Sequence, residues 1–209
     1  MPSSNYTFLV GAPGSQWSSI GQLITDNFNY NKSDESPDRV YSHGAFSGHK
    51  GSYFGPGMEN GNDFHRLEYS YFDYQRFERM CDSPFSDKHS DKPKLIKCHQ
   101  FAYGLDWLKE NVPSSNILLV KRDSDKSFDW WKQAGGWDIT YPDYSWYVDD
   151  VHMRHYIDTE IRLANEFVNK NTKWSQFNEE WLTENFGTHS IILSNKYEDT
   201  EVCLIKTDF

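Results

Sequence analysis

The 209-residue chain has only three cysteines, Cys81, Cys98 and Cys203, and no two of them form a C-x-x-C pair. A sparse, odd set supplies neither a disulfide framework nor a zinc ribbon, so the thiols read as reduced, as expected of an intracellular, cytoplasmic protein. Long apolar runs are also missing. Such runs as there are, for example 8–10 and 117–120, fall far short of the roughly 20 residues that cross a bilayer. Met1-Pro2-Ser3-Ser4-Asn5 carries neither the basic region nor the apolar stretch of a secretory signal. Positive charge is in deficit, with 21 Lys and Arg against 31 Asp and Glu and a formal net charge of −10. That balance argues against nucleic acid or an anionic membrane as partner, yet leaves room for a local basic site that holds a small anion. No internal repeat is visible. No G-x-x-x-x-G-K-[ST] run occurs either, which removes the Walker loop and weakens a nucleotide-kinase reading.

Aromatics, by contrast, are plentiful. Fourteen Phe, 13 Tyr and 8 Trp make up 17% of the chain, which argues against global disorder and supplies bulky core material. The length suits one domain over residues 1–209. Alternation and helical spacing predict a strand at 6–10, a small-residue turn Gly11-Ala12-Pro13-Gly14-Ser15, and a helix at 18–27. Between 44 and 61 lie six glycines among aromatics and histidines. This excursion, at about 44–62, reads as a lid over a site. Helical spacing returns at 63–80, and a polar linker covers 82–93. A strand at 95–98, a helix at 102–111 and a strand at 117–120 follow, the last with four consecutive branched residues that suit a strand buried on both faces. A helix then runs to about 133 and breaks at Gly135-Gly136. An amphipathic helix at 149–169 has Ile157, Ile161, Ala164 and Val168 on one face. A helix at 174–186 and closing strands at 191–193 and 202–205 complete the pattern. Strands alternating with helices predict an α/β fold, a parallel central sheet flanked by helices.

Three places carry candidate chemistry. The turn after the first strand presents backbone N–H groups at a helix start, with Ser15, Ser18 and Ser19 as hydroxyl donors, an arrangement suited to an anion. An ordinary serine-capped turn is the plainer alternative. At the end of the second core strand stand Lys97 and His99, two residues apart and so able to face one reacting group; a histidine there can act as a general base. After the third strand, Arg122 offers a planar fork for phosphate, with Ser124 and Ser127 nearby, Ser124 being also a candidate helix cap. Asp149, Asp150, His152 and His155 have metal-like spacing, but a polar helix N-terminus accounts for them more simply. Trp130-Trp131, Trp137 and the aromatics of 141–147 are candidates for stacking on a sugar or adenine, or for core.

The order of these places resembles that of the PAPS-dependent sulfotransferases. Pro93-Lys94-Leu95-Ile96-Lys97-Cys98-His99, then Leu105-Asp106-Trp107-Leu108, then Asn116-Ile117-Leu118-Leu119-Val120-Lys121-Arg122-Asp123 is similar to the family's P-[KR]-[LI]-I-K-[TS]-H strand, its following helix and its I-[IL]-x-[VL]-x-R-[ND] strand. Phe8-Leu9-Val10-Gly11-Ala12-Pro13-Gly14-Ser15 resembles the loop F-L-[IV]-[GT]-x-P-[KR]-S-G-T-T. The likeness covers about 5–30 and 93–134.

This resemblance implies a P-loop-like, sulfotransferase-like fold and a metal-independent enzyme. That enzyme moves a sulfuryl group from PAPS to a hydroxyl or amine, on a small-molecule or glycan acceptor. It implies His99 as the base and Lys97 as the charge on the transferring group. Pro13, Gly14, Ser15, Gln16, Trp17, Ser18 and Ser19 would hold the 5′-phosphosulfate, and Arg122 with Ser124 or Ser127 the 3′-phosphate. The chain departs from the pattern at Gly14, where the family has Lys or Arg, at Gln16, where it has Gly, and at Trp130, where it has the 3′-phosphate serine. The late G-x-x-G-x-W-K segment is not visible. A catalytically degenerate, nucleotide- or glycan-binding module of the same fold is therefore the alternative.

Overall fold

The computed structural model describes residues 6–34, 41–43, 46–49, 74–112, 114–138, 148–187 and 191–207. The chain runs β1 (Tyr6–Gly11), α1 (Trp17–Asn27), a ribbon of β2 (Tyr41–His43) and β3 (Phe46–His49), α2 (Tyr74–Asp82) and β4 (Lys94–Lys97). It continues through α3 (Leu105–Asn111), β5 (Ser115–Lys121), α4 (Ser124–Gln133), α5 (Asp150–Asn171), β6 (Ser175–Gln176), α6 (Glu179–Phe186) and β7 (Glu201–Lys206). The five-stranded sheet has the order β4-β1-β5-β7-β6.

Only part of that sheet is parallel, which corrects the sequence expectation. β1 runs parallel to both β4 and β5, whereas β7 is antiparallel to β5 and β6 to β7. The continuous apolar run that marks a strand buried on both faces also occurs in β5, which pairs parallel on one side and antiparallel on the other, so strand content did not reveal orientation. The closing strand expected at 191–193 is not a strand. Ile192 is 93% exposed, and the segment docks through Leu193 N–H donating to the Glu179 carboxylate at 3.0 Å. β6 instead supplies the far edge. The helix expected from 174 begins only at α6, and the one expected from 102 begins as a 3-10 turn, His99–Gly104. Most of the 44–62 excursion lies outside the described residues, apart from β3, as do residues 63–73 of the second expected helix.

The sheet is sandwiched between helices. Phe8, Val10, Ile96, Ile117 and Leu119 face α2, α3 and α5, while Leu9, Leu95, Leu118 and Val120 face α1 and α6. β1 is buried along its whole length, as a strand flanked on both edges and both faces must be. α5 lays Met153, Ile157, Glu160, Ala164, Phe167 and Val168 inward. One member of that stripe is a carboxylate. Asp123, and not Ser124, caps α4 through the Lys126 N–H; Asp149 caps α5 and Asn178 caps α6 in the same way. At the end of the sheet remote from the loops, Lys94 Nζ and Tyr6 OH both donate to Asp82 Oδ1, at 2.6 and 2.8 Å. No helix among the described residues is long and apolar enough to cross a membrane.

All three cysteines are free and buried. Burial pushes the thiols of Cys81 and Cys98 up, and that of Cys203 to about 11. The thiolate is the reactive form, so iodoacetamide at pH 8 should leave the native protein unlabelled and label three thiols after unfolding in urea. Rapid labelling of the native chain contradicts this packing.

Candidate functional site

In open α/β sheets ligands bind beyond the carboxyl ends of the strands, where the direction of winding reverses. Here that point is β1. The chain leaves β1 to form β4 on one side and then crosses to β5 on the other. The loop after β1, the turn after β4 and the loop after β5 therefore share one edge of the sheet.

The β1–α1 loop turns tightly, with Ser15 N–H donating to Ala12 O at 3.0 Å. Gly14 has φ +79°, and a Cβ there would lie 1.8 Å from the Ser127 carbonyl oxygen and 3.0 Å from Trp131 N. The loop is thus pressed against the backbone of α4, and only glycine fits. Gln16 has φ +67°, a conformation rare outside glycine, and α1 starts without a side-chain cap. Pro13, Trp17 and Ser18 are buried and Ser19 is half-buried.

The loop and α4 both carry buried polar atoms. Ser15 Oγ, both amide atoms of Gln16, Ser127 Oγ and Trp131 Nε1 have no hydrogen-bond partner among the described residues. Native interiors leave few such groups, and each calls for a ligand or ordered water.

The two serines after β5 separate. Ser127 is wholly buried beside Gly14. Ser124 turns away and donates to Asp158 of α5. Arg122 stands beside Trp130, its guanidinium carbon 6.0 Å from the ring. Its Nε is buried without a partner among the described residues, and its Nη2 lies 3.9 Å from Asp199 Oδ2. Asp199 also accepts from Lys126 at 2.6 Å. That bond, with the charges of Lys126 and Arg122, holds the Asp199 carboxyl below its usual range. A cleft of about 580 Å³ opens here, lined by Lys121, Arg122, Lys126, Asn165, Gln176 and Asp199 among others.

Lys97 is buried in β4 opposite Leu9. Its carbon chain runs beneath α1, where a Cβ on Gly21 would come within 3.4 Å of its Cδ. Cys98 extends the ladder through its N–H to Leu9 O at 3.1 Å. His99 then opens the 3-10 turn at the strand end. Its ring meets Trp17 edge-on at 6.3 Å, and Nδ1 lies 2.7 Å from Glu160 Oε1. Side-chain exposure is 10% for His99 and 1% for Glu160. The sequence expectation omitted Glu160 and Asp199. Glu160 was detectable, since it sits three residues after Ile157 and four before Ala164, on the apolar stripe of its helix.

At the start of α5, Asp149 accepts from the His152 N–H and ring at 2.9 and 2.8 Å, and Asp150 accepts from Lys132 and Trp137 at 3.1 Å. No group of three His, Cys, Asp or Glu among the described residues is placed to hold a metal ion. Trp131 is core, and Trp137 is 40% exposed and packs edge-on to it at 4.9 Å; residues 141–147 lie outside the described residues. No protein-family model, no curated protein and no solved structure matches the chain.

Gly14→Ala should destabilise the fold by at least about 1–3 kcal/mol, the usual cost of forcing a side chain into the left-handed region, with the steric contact added. Gly14→Lys should fare no better despite restoring a loop cation. Urea unfolding measures both, and wild-type stability in either variant means that the loop does not press on α4.

Proposed function

We propose that the chain is a sulfotransferase with a P-loop-like, sulfotransferase-like arrangement of its α/β fold. It uses PAPS as donor and a hydroxyl or amine of a small molecule or glycan as acceptor. The observation that supports this reading is positional. The loop of 12–16, the Lys97–His99 turn and Arg122 leave three adjacent parallel strands at the same edge, in the order expected of that family.

The residues present fit an anionic donor. The buried, unpartnered Ser15 Oγ, Gln16 amide and Ser127 Oγ, and the buried Arg122 Nε, are the polar atoms that a doubly phosphorylated ligand satisfies. Pro13, Gly14, Ser15 and Gln16, with Trp17, Ser18 and Ser19 at the start of α1, would hold the 5′ end through N–H groups and hydroxyls. Arg122 and Ser127 would hold the 3′ end. Ser124 belongs to this set only if it leaves Asp158. When bound, the donor supplies an activated sulfuryl group with charge spread over its oxygens. His99 accepts the proton of the acceptor hydroxyl or amine. Lys97, buried beneath α1, provides positive charge that the loop itself lacks. Positioning and electrostatics then do most of the work, as in phosphoryl transfer.

A second reading, binding without turnover, has its own support. Gly14 stands where the family carries a cation and has no room for a longer side chain, and Asp199 shares Arg122 with any incoming phosphate.

Calorimetric titration with adenosine 3′,5′-bisphosphate should show micromolar binding, weakened by about 1.5–3 kcal/mol in Arg122→Ala, the value of a charged hydrogen-bond partner. His99→Ala should keep that affinity and abolish transfer. Absence of binding at millimolar nucleotide removes the donor assignment. Binding with no transfer across a panel of hydroxyl and amine acceptors leaves the binding module.

A further inference from the structure

Glu160 occupies a position where packing alone calls for an apolar residue. It lies on the inward stripe of α5 between Ile157 and Ala164, and its side chain is 1% exposed. Burying a carboxylate costs several kcal/mol unless partners offset it. Here Oε1 has the His99 ring nitrogen at 2.7 Å, while Oε2 is buried with no partner among the described residues. Other titratable groups near the carboxylate are Cys98, which precedes the 3-10 turn, and Tyr103 within it, with Tyr156 and Arg162 of α5 next to Tyr103. Burial, and then the negative charge of Glu160, push both the Cys98 thiol and the Tyr103 phenol up, so both stay neutral at physiological pH. The edge of Trp17 flanks the imidazole, its ring centroid 6.3 Å away.

We infer that Glu160 is the positioning residue of a buried His99–Glu160 pair that fixes the imidazole with its proton on Nδ1, so that Nε2 is the atom that takes the acceptor's proton. An ionised carboxylate can only accept a hydrogen bond, so the ring nitrogen facing it must donate. The second nitrogen of the neutral ring then carries the lone pair, and the ring cannot turn over without breaking the bond. During transfer Nε2 gains the proton as the acceptor oxygen or nitrogen forms its bond to sulfur and the donor's bridging S–O bond breaks, its electron pair leaving on the 5′-phosphate of adenosine 3′,5′-bisphosphate. The imidazolium so formed lies against the carboxylate, which stabilises it without taking a proton. Catalytic His–acid pairs in hydrolases work on the same physical basis. The inference takes its acceptor chemistry from the sulfuryl-transfer reading, but its geometry stands independently.

The test has two readouts. Long-range ¹H–¹⁵N spectra of the full chain report the tautomer of His99, whose signals are assigned by their loss in His99→Asn. The wild type should show the Nδ1–H form when neutral, and Glu160→Gln, which can both donate and accept, should give a mixture. In the transfer assay Glu160→Gln should lower kcat by about 10²–10⁴-fold, leave affinity for adenosine 3′,5′-bisphosphate within about threefold, and be partly rescued by Glu160→Asp. An Nε2–H form in the wild type overturns the inference, and that measurement needs no variant. An unchanged kcat in folded Glu160→Gln overturns it too. If the wild type neither binds the bisphosphate nor transfers a sulfuryl group, the donor assignment fails, and the tautomer alone then decides the pair.

Discussion

The candidate site depends on one close approach, that of Gly14 to the Ser127 carbonyl. Backbone meets backbone there, with no side chain between them. The contact presses the β1–α1 loop against the backbone of α4, and Ser15 and Ser127 are both buried. Ala12 joins Phe128, Trp131, Met153 and Ile157 in a small apolar cluster. That cluster ties α4 and α5 to the loop, so the same packing that seats the loop also fixes the helix that carries Glu160. Conformational cost is concentrated in Gly14 and Gln16, both at positive φ. Strain of this kind persists where the surrounding structure over-determines it, and such places are commonly functional.

The arrangement also explains why Gly14 stands where a cation is expected. A long side chain at this position requires the loop to stand clear of the next helix. Here the helix has closed on it, and any positive charge near the loop must come from the sheet. Lys97 is the basic residue of β4 that lies on the α1 side, and β4 delivers it beneath the same helix that the loop starts. Substitution of a loop cation by a strand cation is chemically reasonable, because a diffuse anionic charge responds to the field at its oxygens and not to the element that supplies it.

Much of this was legible in the sequence. Apolar periodicity locates β1, β4, β5, α4 and α5 closely, and the order of strand, loop and helix marks the three loops that converge. Other features were not. Strand direction leaves no trace in a period of two, so the antiparallel half of the sheet was missed. The apolar triplet 191–193 looked like a strand, yet it serves as a docking segment held by a side-chain hydrogen bond. Ser124 and Ser127 were indistinguishable by type, since what separates them is one turn of helix, which points the first at Asp158 and the second at Gly14. Glu160 was visible only as a charge breaking an apolar stripe, and its meaning required His99, 61 residues earlier, to be brought opposite.

Each described cation at the crevice entrance has a carboxylate near it, as a chain with ten more acidic than basic residues makes probable on composition alone. The two pairings that matter differ in kind. Asp199 is half-exposed, and its hold on Arg122 spans 3.9 Å. Exposed pairs of this sort contribute little, and a ligand phosphate of the proposed kind could displace this one while also satisfying the buried Nε. Glu160 and His99 are sealed together, and removing either partner leaves the other buried and uncompensated, which is far more costly. On the proposed donor assignment the first carboxylate would be an exchangeable placeholder beside the arginine, whereas the second is a permanent part of the imidazole's environment. An acidic protein with that arrangement needs no basic surface to hold an anion, because the few charges that would meet it are already oriented.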